Sequence, residues 1–231
     1  IDPEDEASVK SPTEVWPSRE CVQKFAAACD ELIEETLASA PIGEAVFTIM
    51  EHELMHQETL LYMIHELPYE KKRGPSPQPS PRAGGRGGNE MVRVPPGRAT
   101  VGTHDGFGWD NEFPEHAVEV GEFEIAKYDV TNGEYLEYIE ATGAHAPHFW
   151  ARGEREWYWR GMFGLTPLPL DAPVYVTHDE AVAYAKWKGM RLPTEAEFHR
   201  AAYGTPSGEE RLHLLDGNYD FATWDPVAVG S

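Results

Sequence analysis

A segment rich in proline and glycine divides this chain into two parts with different sequence patterns. The segment spans residues 69–90 and reads YEKKRGPSPQPSPRAGGRGGNE. Prolines at alternate positions followed by glycines do not build a packed core, so we predict a flexible linker here. We therefore expect two domains, one formed by residues 1–68 and the other by residues 91–231.

The first part has the periodicity of amphipathic helices. In RECVQKFAAACDELIEETLASA, apolar side chains recur three and four residues apart, which predicts a helix with one buried face. Ser18 stands immediately before this stretch, at the position of an N-cap. A second helix is predicted with Pro41 in its first turn and Pro68 as its stop signal. Two antiparallel helices form half of a bundle, so residues 1–68 are predicted to be a partial helical bundle.

The second part alternates between short strands and short helices. The stretches MVRVPPGRATVGT and HAVEVGEFEIAKYDV have the period of two that predicts strands. Three helices are then predicted from their N-caps, Thr131, Thr177 and Thr194, and in the last two Glu180 and Glu197 complete a capping box. Short elements separated by many glycines and prolines predict a loop-rich α+β domain.

The charge of the chain excludes several classes of partner. Nineteen basic against forty acidic residues give a formal net charge of −21. Such a surface repels phosphate backbones and anionic lipids, and no apolar run reaches the roughly 18 residues of a membrane span. We therefore expect neither nucleic acid nor membrane as a partner. The two cysteines, Cys21 and Cys29, fall roughly 12 Å apart on one helix, too far for a disulfide, which favours the cytoplasm.

Two histidines four residues apart are the strongest candidates for a functional site. His52 and His56 lie in the apolar stretch EHELMHQETLLYMIHELP, and on a helix they project from one face. They can offer two imidazole nitrogens to one cation, as in zinc and iron sites. Leu60 and Met63 continue this face and predict an apolar wall. Glu58 projects about 200° away from His56, so it is not expected to bind the same ion.

From the sequence alone, other interpretations of the histidine pair stay open. HELMH matches the His-Glu-x-x-His pattern of zinc metalloproteases, with Glu53 in the position of the general base. No third-ligand pattern such as GxxH follows it. The pair also fits two packed histidines that hold no metal. His65 projects opposite to His56 and is expected to be an ordinary surface or boundary residue.

Longer stretches of the second part carry a family resemblance. FGWDNEFPEHAVEVGEFEIAKYDVTNGEYLEYIEATG and PVYVTHDEAVAYAKWKGMRLPTEAEFHRAAYG resemble the formylglycine-generating-enzyme-like (sulfatase-modifying-factor) domain, with DVTNGEY and RLPTEAEF as the most specific marks. Combined with HxxxHxE at His52, His56 and Glu58, the arrangement resembles the ergothioneine-type sulfoxide synthases, or hercynine oxygenases. This resemblance implies an α+β fold with a partial DinB-like helical bundle at 1–68 and a loop-rich C-type-lectin-like domain at 91–231.

The resemblance also implies a cofactor and a reaction. His52 and His56 would be two of three iron-binding histidines, with Fe(II) as cofactor, and the third ligand and the proton donor are expected outside this sequence. The implied activity is O2-dependent C–S bond formation between a thiol (cysteine or γ-glutamylcysteine) and the imidazole of histidine betaine. It gives a sulfoxide, in ergothioneine biosynthesis, from small-molecule substrates. Met55 stands where some members have glutamine, so contacts to the acceptor are not carried over.

Two other functions are compatible with the same fold. Formylglycine generation relies on a cysteine pair late in the domain, and no cysteine follows Cys29 in this sequence. A lectin-like module that binds without catalysis is the other, because fold does not dictate chemistry. The aromatic residues within 149–163 are interpreted as packing rather than as the wall of a substrate site.

Overall fold

The computed structural model describes residues 17–39, 43–73, 90–104, 106–211 and 223–230. The chain divides into two compact units, Ile1–His56 and Gln57–Ser231. Helices and short antiparallel strands together confirm the predicted α+β class. In the described residues no helix combines the length and the apolar character needed to cross a membrane.

The N-terminal residues form two helices, α1 (Arg19–Ser39) and α2 (Glu44–Glu66). The Oγ of Ser18 accepts a hydrogen bond from the Cys21 N–H at 3.3 Å, which confirms the predicted cap of α1. Helix α2 ends two residues before Pro68, as predicted, but it begins at Glu44, while Pro41 lies outside the described residues. Both cysteines are free thiols.

The prediction that one face of α1 is buried is wrong for the described residues. Phe25 is 72% exposed and Leu32 is 64% exposed. An amphipathic helix buries its apolar stripe only against a partner element, and no described element covers this one. The pairing of the two helices as half a bundle stays a prediction.

The first four strands of the second unit form two antiparallel pairs. Strand β1 pairs with β4 and strand β2 pairs with β3, in registers that join Val94 to Phe123 and Val101 to His116. Alternation along these strands places Ala99 in the interior, fully buried. The prediction of strands in this region is confirmed. Their bounds are β1 Met91–Val94, β2 Gly97–Val101, β3 His116–Val120 and β4 Phe123–Ala126.

An aromatic core lies between two helices, α3 and α4, and a three-stranded sheet. The sheet has the antiparallel order β5-β6-β7, and its Trp150 and Trp159 are almost completely buried. Helices α3 and α4 contribute Tyr135 and Tyr184 to the same cluster, where burial raises the pKa of each phenol to about 12. These aromatic residues of 149–163 therefore pack the core. The elements are α3 Asn132–Thr142, β5 Trp150–Arg152, β6 Trp157–Arg160, β7 Leu165–Pro167, α4 His178–Trp187 and α5 Glu195–Tyr203.

The three helices of this unit begin at the predicted caps. The side chains of Thr131, Thr177 and Thr194 each accept a hydrogen bond from the backbone N–H three residues later. In each case the glutamate at that position accepts in return from the N–H of the threonine. These contacts satisfy N–H groups that have no partner within the helix.

The cap of α5 also contains a strong ion pair. Arg191 donates to both carboxylate oxygens of Glu197, at 2.7 and 2.6 Å, and the Thr194 N–H donates to the same carboxylate at 2.8 Å. The hydrogen bonds from Arg191, followed by that from Thr194, lower the pKa of Glu197 from 4.5 to about 2. The folded state therefore favours the ionised carboxylate.

This shift predicts how the stability of the protein depends on pH. Because the pKa of Glu197 is lower in the folded than in the unfolded chain, its stabilisation is present above about pH 4.5 and is lost as the pH falls to about 2. Glu197→Gln is expected to flatten the fall of the unfolding free energy across that window, as measured by urea unfolding at successive pH values. The exposed Glu195 supplies the matched control, Glu195→Gln, and equal slopes in both variants would contradict the prediction.

Arg200, on α5, is the largest side chain with almost no exposed surface. Its guanidinium donates to the carbonyl oxygens of Pro95 at 3.2 Å, Glu209 at 3.0 Å and Thr205 at 2.6 Å. A buried cation needs such partners because desolvation of its charge is costly. Gly97 approaches it so closely that an added Cβ would stand 2.7 Å from the Cζ atom of Arg200. The guanidinium therefore ties α5 to the turn between β1 and β2 and to the segment after α5.

Candidate functional site

Helix α2 brings the two histidines of the predicted metal site side by side. The ring centroids of His52 and His56 are 4.4 Å apart, and the rings meet edge to face at 87°. Both side chains are exposed. Metal–nitrogen bonds are about 2.0–2.1 Å long, so neighbouring rings at this separation are within reach of one ion. The assignment of these residues as ligands stays a prediction.

The donor set in the described residues is partial. No group of three or more His, Cys, Asp or Glu side chains in these ranges is arranged to hold a metal ion. Two neutral imidazoles fit Fe(II) as part of its coordination sphere, and iron sites in proteins commonly use at least three protein ligands. If the pair holds a metal, His52 and His56 would supply two of its ligands, and a third protein ligand would come from outside the described residues.

The other residues singled out on α2 lie on its surface. Leu60 and Met63, predicted to form an apolar wall, are 54% and 62% exposed. The carboxylate of Glu58 accepts a hydrogen bond from the hydroxyl of Tyr62, one turn further along the helix. This contact raises the pKa of Tyr62.

His65, near the C-terminal end of α2, is a half-buried boundary residue. Its Nε2 lies 2.7 Å from the backbone oxygen of Arg160, a residue on β6. Its ring stacks on Phe149 with centroids 4.6 Å apart and planes inclined by 15°. The expectation of a surface or boundary position holds, but these two partners were not predictable from the sequence.

Three further contacts involve the end of α2 and the residues that follow it. The carboxylate of Glu66 lies 2.8 Å from Nε2 of His148, and this hydrogen bond lowers the pKa of Glu66. The Nζ of Lys72 donates to the carbonyl oxygens of His65 at 2.7 Å and Met162 at 2.8 Å. Burial lowers the pKa of this ammonium group.

The first residues of the predicted linker are thus part of the folded structure. Residues Tyr69–Lys71 form a 3-10 helix, and the hydroxyl of Tyr69 donates to the Gly161 carbonyl at 3.2 Å. Tyr69 and Lys72 thus contact backbone oxygens of residues 161 and 162, and the linker predicted over 69–90 stays a prediction. The residues 74–89 lie outside the described ranges.

Two cavities open in the second unit. The smaller, of about 370 Å³, lies between the end of α2 and Arg160. The larger, of about 450 Å³, lies between β4 and α4 and is lined mainly by apolar side chains, with Lys188 and Arg191 among its charged residues. Neither was indicated by the sequence, since each is assembled from segments far apart in the chain.

Comparison with known families assigns the larger part of the chain. Residues 76–226 match the model of the sulfatase-modifying factor enzyme 1-like domain. The chain belongs to this family. The matched region begins inside the predicted linker, and the predicted domain boundaries at residues 68 and 90 stay predictions.

Individual relatives extend the comparison beyond that domain. Hercynine oxygenase of Mycolicibacterium smegmatis is 33% identical, over 86% of this chain and 50% of its own length. Ergothioneine biosynthesis protein 1 of Neurospora crassa is 30% identical, over 68% of this chain and 23% of its own length. The formylglycine-generating enzyme of Streptomyces coelicolor is 30% identical, over 63% of this chain and 62% of its own length. The chain thus spans about half the length of the hercynine oxygenase it matches.

Proposed function

We propose that this chain carries the helical histidine pair and the lectin-like domain of a non-haem, Fe(II)- and O2-dependent enzyme that forms a C–S bond in ergothioneine biosynthesis. The main support for the proposal is the share of this chain that aligns with one relative. The relative named hercynine oxygenase aligns with 86% of the chain, whereas the family domain spans only residues 76–226. The alignment therefore reaches into the helical part that holds His52 and His56.

The proposed reaction joins a thiol, cysteine or γ-glutamylcysteine, to the imidazole of histidine betaine. The S–H bond and one imidazole C–H bond break, a C–S bond forms, and the sulfur gains one oxygen atom. The other oxygen atom leaves as water with the two hydrogens, so O2 accepts four electrons in all. Fe(II), when bound, would supply the open coordination positions and the redox chemistry that O2 requires.

The residues of this chain would hold the metal and shape its surroundings. His52 and His56 would bind Fe(II) through unprotonated ring nitrogens, so metal binding competes with protons at these imidazoles. Leu60 and Met63 would keep water away from the reacting groups once substrate covers that face. All substrates are small molecules, and the net charge of −21 supports this class over nucleic acid. The two free thiols on α1 support a cytoplasmic location.

Formylglycine generation is the second candidate because a relative of that name matches the domain. It covers 63% of the chain, a smaller share than the hercynine oxygenase covers. Both cysteines, Cys21 and Cys29, lie on α1, outside the matched residues 76–226. The sequence given therefore supplies no cysteine pair within the domain for that chemistry.

The test uses the full-length protein, purified without oxygen and loaded with Fe(II). We expect about one tightly bound iron per chain by elemental analysis, as the two-imidazole site requires. Incubation with O2, histidine betaine and either thiol should then give a sulfoxide that contains both substrates, detected by mass spectrometry. A cysteine-containing sulfatase peptide serves as the competing substrate. Conversion of that peptide with no C–S product would overturn the proposal in favour of formylglycine generation.

A further inference from the structure

The cavity at the end of α2 carries charges of both signs on its wall. It has a volume of about 370 Å³ and is formed by the last turn of α2, the 3-10 helix and β6. Pockets that bind small molecules range from about 300 to 1,000 Å³. Arg160 provides a positive charge, Glu66 and Glu70 provide negative charges, and Phe149 and Leu67 provide apolar surface. A cavity of this kind suits a small ligand with two opposite charges and an apolar body.

The backbone of Arg160 forms hydrogen bonds with its neighbours, whereas the N–H groups of its guanidinium are available to a ligand. Its N–H donates to the Phe149 carbonyl at 2.8 Å, and its own carbonyl lies 2.7 Å from Nε2 of His65. Within the described ranges, no hydrogen bond or ion pair involves the guanidinium. The five donors of this group form a planar fork that matches a carboxylate. Arg160 is half-buried and lines the cavity, so its guanidinium is suited to bind the carboxylate of a ligand there.

The acidic residues that line the cavity form no ion pair with this arginine. The hydrogen bond from His148 is the main cause that lowers the pKa of Glu66, and the charge of Arg160 lowers it further. The two groups are therefore close enough to interact through space, yet they form no ion pair. Glu70 adds a second carboxylate to the same wall. Charges of both signs that line one cavity without pairing with each other can each bind one end of a ligand.

We propose that this cavity binds a zwitterionic α-amino acid with an apolar or aromatic side chain. Its carboxylate pairs with Arg160, its ammonium group pairs with Glu70 and Glu66, and its side chain packs against Phe149 and Leu67. Charge-assisted hydrogen bonds at both ends fix the orientation of the ligand, and the apolar wall excludes water from them. This binding site does not depend on the proposed iron chemistry.

The first test compares three ligands that differ by one charge each. L-Phenylalanine carries both charges, 3-phenylpropionate lacks the ammonium group, and phenethylamine lacks the carboxylate. Isothermal titration calorimetry with the full-length protein is expected to show L-phenylalanine binding at least about tenfold more tightly than either analogue, since each charged pair adds on the order of a factor of ten. Equal affinities for all three, or no binding of L-phenylalanine, would overturn the proposal.

Two variants test which residue binds each end of the ligand. Arg160→Gln should weaken L-phenylalanine about tenfold and leave phenethylamine unchanged, while Glu70→Gln should weaken L-phenylalanine and leave 3-phenylpropionate unchanged. The matched control is Arg152→Gln, because Arg152 lies on the neighbouring strand and stacks on Trp157 at 4.8 Å instead of lining the cavity. Circular dichroism checks the fold of each variant. Unchanged L-phenylalanine affinity in both folded variants would exclude this site.

Discussion

His52→Ala is expected to remove iron from the protein and to abolish formation of the sulfoxide. The substitution deletes one of the two imidazoles that lie 4.4 Å apart on α2. Residues that only hydrogen-bond to a metal ligand already change metal affinity by about 10–100-fold. Loss of the ligand itself should therefore weaken Fe(II) binding by at least about 100-fold. Iron content after anaerobic desalting measures the first effect, and mass spectrometry of the product measures the second. His56→Ala should behave in the same way.

A histidine outside the site provides the control for this prediction. His178 begins α4, and its side chain is 80% exposed. His178→Ala should keep the iron content and the product yield of the unmodified protein. His52→Ala, His56→Ala and His178→Ala should unfold at the same urea concentration as the unmodified protein, because all three side chains are exposed. Full iron content in His52→Ala would remove the assignment of this residue as a ligand.

Arg200→Met is expected to be the most destabilising single substitution in the second unit. Methionine fills part of the same space but donates no hydrogen bonds, so the carbonyl oxygens of Pro95, Thr205 and Glu209 lose their partner. Each buried carbonyl oxygen left without a donor costs about 1–3 kcal/mol, so the loss of three donors should cost about 3 kcal/mol or more. Urea unfolding followed by tryptophan fluorescence measures the change in the free energy of unfolding.

A substitution at an exposed arginine is the control that separates the effect of burial from the effect of losing a charge. Arg98 lies on β2, and its side chain is exposed. Arg98→Met should change the free energy of unfolding by less than about 0.5 kcal/mol, as is usual for surface substitutions. If Arg200→Met were no more destabilising than Arg98→Met, the account of Arg200 as the tie between α5 and the β1–β2 turn would be wrong.

Local features of the second unit were predictable from the sequence, because their causes lie within a few residues. Thr131, Thr177 and Thr194 cap helices through contacts that span three residues, and the alternating strands follow from side-chain period alone. The same holds for the proximity of His52 and His56, since helix geometry places positions i and i+4 together.

Contacts between distant residues were not predictable from spacing. His65 bonds to a residue 95 positions away, and Lys72 bonds to one 90 positions away. Arg200 is buried where two segments, one before β2 and one after α5, offer it carbonyl oxygens, although its position in RLPTEAEFHRAAYG gives no hint of burial. The apolar stripe of α1 was predicted to be buried from its period, but burial depends on a partner element that the period does not specify.

The sharing of one ferrous ion by His52 and His56 is tested most directly by side-chain NMR. The sequence has ten histidines, and long-range 1H–15N spectra of the imidazole rings report each one. During an anaerobic titration with Fe(II), the ring resonances of His52 and His56 should broaden together and completely at one equivalent, while those of His65 and His178 persist. Broadening of other histidines first, or of only one member of the pair, would contradict a shared metal site on α2.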